Sequence, residues 1–191
     1  MTIEEEDGKM TLYINCCVRE ESRTDRLARA VLQKLGGNFT ERKLCEETLR
    51  PLDKETLKKR TALIESGDYS DRMFDYAKQF ASADTIVIAA PYWDLSFPAL
   101  LKTYFESIYI TGIVSEYDEN GLPHGLCRAN ELYYVTTAGG PYDPTYSYGY
   151  VESLAKNFFG IPATHLVKAE MLDIIGNDAE DILNREIKKW Q

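Results

Sequence analysis

Two hydrophobic patterns alternate along this 191-residue chain: short β-branched runs, and apolar stripes at helical spacing. The runs Thr11 to Cys16, Phe39 to Leu44, Thr85 to Ala90, Leu132 to Thr137 and Thr164 to Ala169 predict five strands. Thr85 to Ala90 (TIVIAA) has no alternation, as expected of a central parallel strand covered on both faces. Phe39 to Leu44 is the most polar and suits an edge. Leu27, Ala30, Val31 and Leu35 mark a helix from about Thr24 to Leu35, closed by Gly36 and Gly37. Further helices are predicted over Lys54 to Ser66, opened by Asp53, and after Ser70, with Met73, Tyr76, Ala77 and Phe80 on one face. Another begins at Phe97, capped by Ser96 with Pro98 in its first turn. Tyr150 to Phe159 and Asp178 to Trp190 complete the set, and Thr111 to Asn130 predicts a long functional loop or excursion.

This alternation predicts a three-layer, doubly wound α/β fold around a five-stranded parallel sheet. A central first strand, a polar second and an apolar third favour the strand order 2-1-3-4-5. One domain is expected over residues 10–191, preceded by an acidic tail over residues 1–9.

Charge and composition narrow the functional classes. The net charge of −9 argues against nucleic acid as the partner, because phosphate neutralisation needs a basic surface. A small anionic ligand stays open, since helix-start N–H groups can hold one. No apolar run approaches the roughly 20 residues of a membrane span, and MTIEEEDGKM lacks the features of a signal peptide. A cytoplasmic protein without membrane partners is therefore expected. Cys16, Cys17, Cys45 and Cys127 form no CxxC pair and no zinc spacing. They read as small side chains in a reducing compartment, and no metal site is expected.

In a sheet of this order the loops after strands one, three and four share the carboxyl edge, where ligands bind. The first reads CVREESRTDRLARA, with Ser22 and Thr24 at a helix start and positive charge from Arg19 and Arg23. That suits a phosphate. Ser22 with Asp25 equally spells a plain capping box, and spacing alone does not choose. The second, Pro91 to Phe97, holds Tyr92 and Trp93 ahead of the helix, where they suit a flat ligand or cover the sheet edge. The third is TTAGGPY, whose glycines remove side chains where something approaches the backbone, or simply make a tight turn.

The combination of SRT, APYWDLSFPALLK and VTTAGGPY resembles the flavodoxin-like NAD(P)H:quinone oxidoreductase and FMN-dependent azoreductase family over roughly Thr11 to Trp190. The resemblance implies a flavodoxin-like fold and a flavin at the carboxyl edge, and the chain length favours FMN over FAD because no extra segment is evident for an adenosine. The resemblance also implies NAD(P)H as co-substrate, a quinone or similar planar electron acceptor, and a homodimer. Carried over by position, it puts Cys17, Ser22, Arg23 and Thr24 around the flavin phosphate. Pro91, Tyr92, Trp93, Asp94 and Leu95 would line the isoalloxazine and ribityl chain. Thr137, Ala138, Gly139 and Gly140 would approach the ring's polar edge, and Tyr142 or Tyr146 would lie where substrates stack. Phe158, Phe159 and the Tyr142 to Tyr150 segment are candidates for the dimer interface, with plain packing an equal alternative for the two phenylalanines.

Two departures stand out. Asp94 occupies a position where related members often carry Asn, and a nearby carboxylate would lower the flavin potential. The middle of Thr111 to Leu126 also differs from the usual family sequence and bears on the choice of substrate. His124 reads as a solvated loop residue and His165 as structural. Rival readings are a flavin-binding electron carrier, or a redox-sensing or nucleotide-binding protein that keeps the fold without turnover.

Overall fold

The computed structural model describes residues 9–36 and 38–191. Residues 1–8 of the expected tail, and Gly37 of the expected helix stop, lie outside the described residues. Among the described residues there are seven strands: β1 (Thr11–Asn15), β2 (Phe39–Lys43), β3 (Thr85–Ala89), β4 (Ser115–Tyr117), β5 (Pro123–Gly125), β6 (Glu131–Thr137) and β7 (Ala163–Ala169). Six helices accompany them: α1 (Arg23–Lys34), α2 (Lys54–Ser66), α3 (Asp75–Ser82), α4 (Ala99–Ile108), α5 (Tyr148–Leu154) and α6 (Ala179–Lys188). The central parallel sheet runs β2-β1-β3-β6-β7, which is the expected 2-1-3-4-5 order once the small β4–β5 pair is set aside.

Burial explains the order. Every residue of β1 and β3 is buried, whereas β2 (FTERK) is half-exposed at the edge. On one face α1 and α6 pack Leu27, Val31 and Leu183 against Tyr13 and Val87. On the other, Phe80 of α3, Tyr104 and Phe105 of α4 and Val151 of α5 pack against Ile14, Ile86 and Ile88. Each such side chain contributes about 1.5–3 kcal/mol on leaving water.

Register places the functional edge. Asn15 lies opposite Ala89, and Ala89 opposite Val135, so Thr136 and Thr137 run past the end of β3. Ala90 and Tyr92 then donate their N–H groups to the carbonyls of Val135 (2.9 Å) and Thr137 (3.1 Å). That fastens the loop after β3 to the loop after β6.

The structure corrects four local expectations. Ser70 does not cap the third helix: its N–H donates to Asp68, and Asp71 accepts from Met73 N at 2.9 Å. Ser96 does not cap α4, which starts at Ala99, because a residue before proline is pushed away from helical backbone. The last predicted core helix begins at Tyr148, and its last turn widens to a π-turn over Ala155–Phe159, closed by Gly160 at φ 75°. The 111–130 segment is no simple loop. It holds the antiparallel β4–β5 hairpin, whose turn Asp118 closes by accepting from the N–H groups of Asn120 and Leu122 (2.9 and 2.8 Å).

Candidate functional site at the carboxyl edge of the sheet

The start of α1 forms the first wall. Ser22 adopts extended backbone, and its Oγ accepts from Asp25 N at 3.4 Å. The Asp25 carboxylate turns inward instead of completing a capping box. It accepts from Tyr13 Oη (2.6 Å), Asn15 Nδ2 (3.0 Å) and Arg29 Nε (2.9 Å). This network pins α1 to the end of β1. Burial, reinforced by Asp25, pushes the Tyr13 hydroxyl far up, so it stays protonated as the donor. The N–H groups of Arg23 and Thr24 lie in the first helical turn, have no partner within the helix and take no other acceptor among the described residues. Thr24 itself is buried, with Oγ1 at 2.6 Å from Thr137 Oγ1 across the cleft.

The loop after β3 forms the second wall. Trp93 and Ser96 exchange backbone hydrogen bonds (3.1 and 2.8 Å) around Asp94 and Leu95, whose φ angles are 50° and 65°. Positive φ in two consecutive non-glycine residues costs roughly 1–2 kcal/mol each, so the turn holds stored strain. Ser96 Oγ anchors it by donating to the Tyr146 carbonyl at 2.7 Å. The Tyr92 ring meets Tyr142 edge-on, with centroids 4.8 Å apart.

The third wall is the loop after β6, backed by a strap from the loop after β7. Met171, Leu172 and Asp173 donate their N–H groups to the carbonyls of Gly140 (3.0 Å), Ala138 (3.2 Å) and Gly139 (2.8 Å). A Cβ on Gly139 would sit 2.4 Å from Asp173 Oδ2, whereas one on Gly140 would meet nothing within 4 Å. What approaches Gly139 in this structure is therefore a side chain of the protein itself, and the open side belongs to Gly140.

These walls enclose a cleft of about 530 Å³, within the roughly 300–1,000 Å³ of small-molecule sites. It lies at the point where the strand order reverses. Of the residues expected from sequence, Ser22, Arg23, Thr24, Pro91, Tyr92, Trp93, Thr137, Ala138 and Gly139 line it. Asp94 and Leu95 sit exposed at the tip of the turn and do not line it, nor does Gly140. Tyr142 packs behind Tyr92 and shares a hydrogen bond with the buried Ser147 (2.8 Å), while Tyr146 lies largely in solvent. Cys17 is buried beside a different, polar groove, and burial pushes its thiol up to about 11. That groove carries Glu20, Asp25, Glu41, Glu46 and Glu47 against Arg19, Arg29 and Lys43, an excess of negative charge unsuited to phosphate. A third hollow, between Phe105, Tyr150, Leu154 and Phe158, is mainly apolar. Of the two phenylalanines read as either interface or packing residues, Phe159 is a core residue packed 4.9 Å from Phe80.

Sequence reasoning missed Asp173 and Glu180, which line the cleft from the loop after β7 and the start of α6. Arg23 Nη1 reaches Asp173 Oδ1 at 2.7 Å, and Arg26 pairs with both oxygens of Glu180 (2.7 and 2.8 Å). The available signal was position: Asp173 follows the last strand by four residues, on the same sheet edge as the other loops.

Comparison with known proteins bears on this arrangement. The family described as having the flavodoxin-like fold matches residues 9–191. An FMN-dependent NADH:quinone oxidoreductase 2 of Clostridium acetobutylicum is 35% identical, over 93% of this chain and 94% of that protein. An FMN-dependent NADH:quinone oxidoreductase of Coprothermobacter proteolyticus is 34% identical over 89% of each. The fold is similar to that of an azoreductase from Bacillus anthracis, with a TM-score of 0.81 at 23% identity over 95% of this chain and 96% of that one. It is also similar to an FMN-dependent NADH-azoreductase from the same species in complex with FMN, with a TM-score of 0.76 at 24% identity over 95% of each. With its strand order, its three converging loops and relatives at this identity over nearly the full length, the chain belongs to the flavodoxin-like family of FMN-dependent NADH:quinone oxidoreductases.

Proposed function

We propose that this protein is an FMN-dependent oxidoreductase that takes a hydride from NADH or NADPH and passes the electrons to a quinone or similar planar acceptor. The observation that carries the reading is the cleft at the reversal of strand order, with unengaged helix-start N–H groups at one end and Pro91, Tyr92 and Trp93 along one side. The residues suit FMN. Ser22, Arg23 and Thr24 offer donors and the helix dipole to a phosphate. The volume falls in the range of small-molecule sites. Bound there, FMN supplies the two-electron chemistry that no side chain of this cleft provides.

The chain's own part is orientation. Thr24 and Thr137 tie two walls together, and the Tyr92–Tyr142 contact stiffens the aromatic side. Trp93, 40% exposed, presents a flat apolar surface at the mouth, where a planar nicotinamide or quinone gains from stacking. Tyr142, behind Tyr92, and the exposed Tyr146 are proposed to border the substrate side. We also propose a homodimer, supported by the apolar hollow between Phe105, Tyr150, Leu154 and Phe158. A cytoplasmic setting is supported by four cysteines that are all unpaired. Light scattering of purified protein tests the dimer.

The activity is tested by loading the protein with FMN, adding NADH without oxygen and then adding a quinone. Loss of the yellow colour followed by its return is expected. Bound FMN that NADH and NADPH leave untouched would mark an electron carrier or sensor of the same fold, and failure to take up FMN would overturn the reading.

A further inference from the structure

We propose that Asp173 sets the affinity of the phosphate end of the cleft by competing with the flavin phosphate for Arg23. The inference rests on the flavin reading above and adds a residue to it. Arg23 is the first residue of α1, beside the free N–H groups, and its guanidinium bonds Asp173 Oδ1 at 2.7 Å from the opposite wall. The pair therefore spans the end of the cleft that a phosphate would occupy.

Asp173 is held there by design of the strap. Its N–H donates to Gly139 O (2.8 Å). Met171, two residues earlier, adopts φ 64°, a strained choice for a side chain of that size. Asn177 Nδ2 secures the Met171 carbonyl at 2.8 Å. Gly139 supplies the space, since any Cβ would strike the Asp173 carboxylate at 2.4 Å. Several local features thus place one carboxylate at one end of one arginine.

Charge decides the direction of the effect. The cleft is lined by Arg19, Arg23 and Arg26 against Glu21, Asp173 and Glu180, three of each sign. Arg26 is already held by both oxygens of Glu180. A phosphate dianion arriving at α1 meets no net excess of positive charge in the lining, and Arg23, the cation at the helix start itself, must be drawn away from Asp173. The side chains of Arg23 and Asp173 are 38% and 66% exposed, so the pair is weak enough to open on binding. Neutralising Asp173 removes both the competition and a like-charge repulsion. Unphosphorylated flavin makes no claim on Arg23 and is indifferent to the change.

The test is equilibrium titration of flavin-free protein with FMN and with riboflavin, followed by quenching of flavin fluorescence. Wild type, Asp173→Asn, Arg23→Gln and the double variant are compared. Asp173→Asn is expected to bind FMN about threefold to tenfold more tightly, with riboflavin changed by less than about twofold. In the Arg23→Gln background the same substitution is expected to lose most of that gain. Equal shifts for both flavins, weaker FMN binding by Asp173→Asn, or a gain that persists without Arg23 would each overturn the competition while leaving the flavin site standing. Failure of the wild-type protein to take up either flavin would overturn the flavin reading and this inference together.

Discussion

Gly125 and Gly121 lie in the same β4–β5 hairpin for different physical reasons, and replacing each by alanine separates them. A Cβ on Gly125 would stand 2.0 Å from Gly160 N, 2.1 Å from Phe159 C and 2.3 Å from Gly160 Cα, all backbone atoms of the π-turn. Reaching an ordinary contact of about 3.5 Å requires the hairpin to lift by about 1.5 Å. Overpacking of that kind costs about 1–3 kcal/mol. Lifting also breaks the bond from Cys127 N to Phe159 O (3.2 Å) that ties the hairpin to the π-turn, worth about 0.5–1.5 kcal/mol. Alanine stiffens the unfolded chain and recovers about 0.4–1 kcal/mol. The net loss is about 2 kcal/mol, which for a chain of this length lowers Tm by about 4–8 °C. Gly121 has φ 76° and open space around it, so Gly121→Ala costs only about 1 kcal/mol of left-handed strain, or about 2–4 °C. Thermal unfolding followed by circular dichroism measures both. Equal shifts, or a larger shift for Gly121→Ala, would refute the close-approach argument.

Three further outcomes follow from the site. Asp94→Asn raises the potential of bound flavin by only about 10 mV, because a solvated carboxylate at the turn tip acts through water; a spectroelectrochemical shift above about 30 mV would place that carboxylate against the ring. Tyr13→Phe removes the buried bond to Asp25, and chemical unfolding should register a loss of about 1.5–3 kcal/mol; a loss below about 0.5 kcal/mol would mean that Asn15 and Arg29 hold Asp25 unaided. Glu170 accepts from Lys168 and from Tyr142 N (2.8 Å), with Lys168 the main cause of a carboxyl held below its ordinary value of 4.5. The stability it contributes is present above that ordinary value and is lost as pH falls through the lower folded value. Both side chains are about a third exposed, so Glu170→Gln should lower Tm at neutral pH by no more than about 2–4 °C. The gap should close in acid, and a gap that widens there would contradict the sign.

Much of the fold was legible because its strands are decided by burial that composition records. TIVIA could only be covered on both faces, and FTERK could only tolerate an edge, so the strand order followed from chain connectivity. The cap errors arose where two hydroxyl or carboxyl residues compete within a few positions. Asp71 outcompetes Ser70, and Pro98 delays α4 past Ser96. The hairpin in the 111–130 segment was not legible, since β4 and β5 have three residues each and no alternation to detect. At the site, loops adjoining the strand ends could be read from position. The position of Asp173 on that edge was legible too, but its pairing with Arg23 was not, because it joins residues 150 apart through the geometry of the strap. For Gly139 the sequence left close approach and a tight turn open, and the atom that approaches it in this structure belongs to the protein.

The central claim is that the cleft between the start of α1, the turn after β3 and the loop after β6 holds the flavin. A crystal structure of the FMN complex tests it most directly. The account predicts phosphate at the N–H groups of Arg23 and Thr24, with the ring system against Pro91, Tyr92 and Trp93. Flavin found instead in the polar groove beside Cys17, or in the apolar hollow by Phe105 and Tyr150, would contradict it.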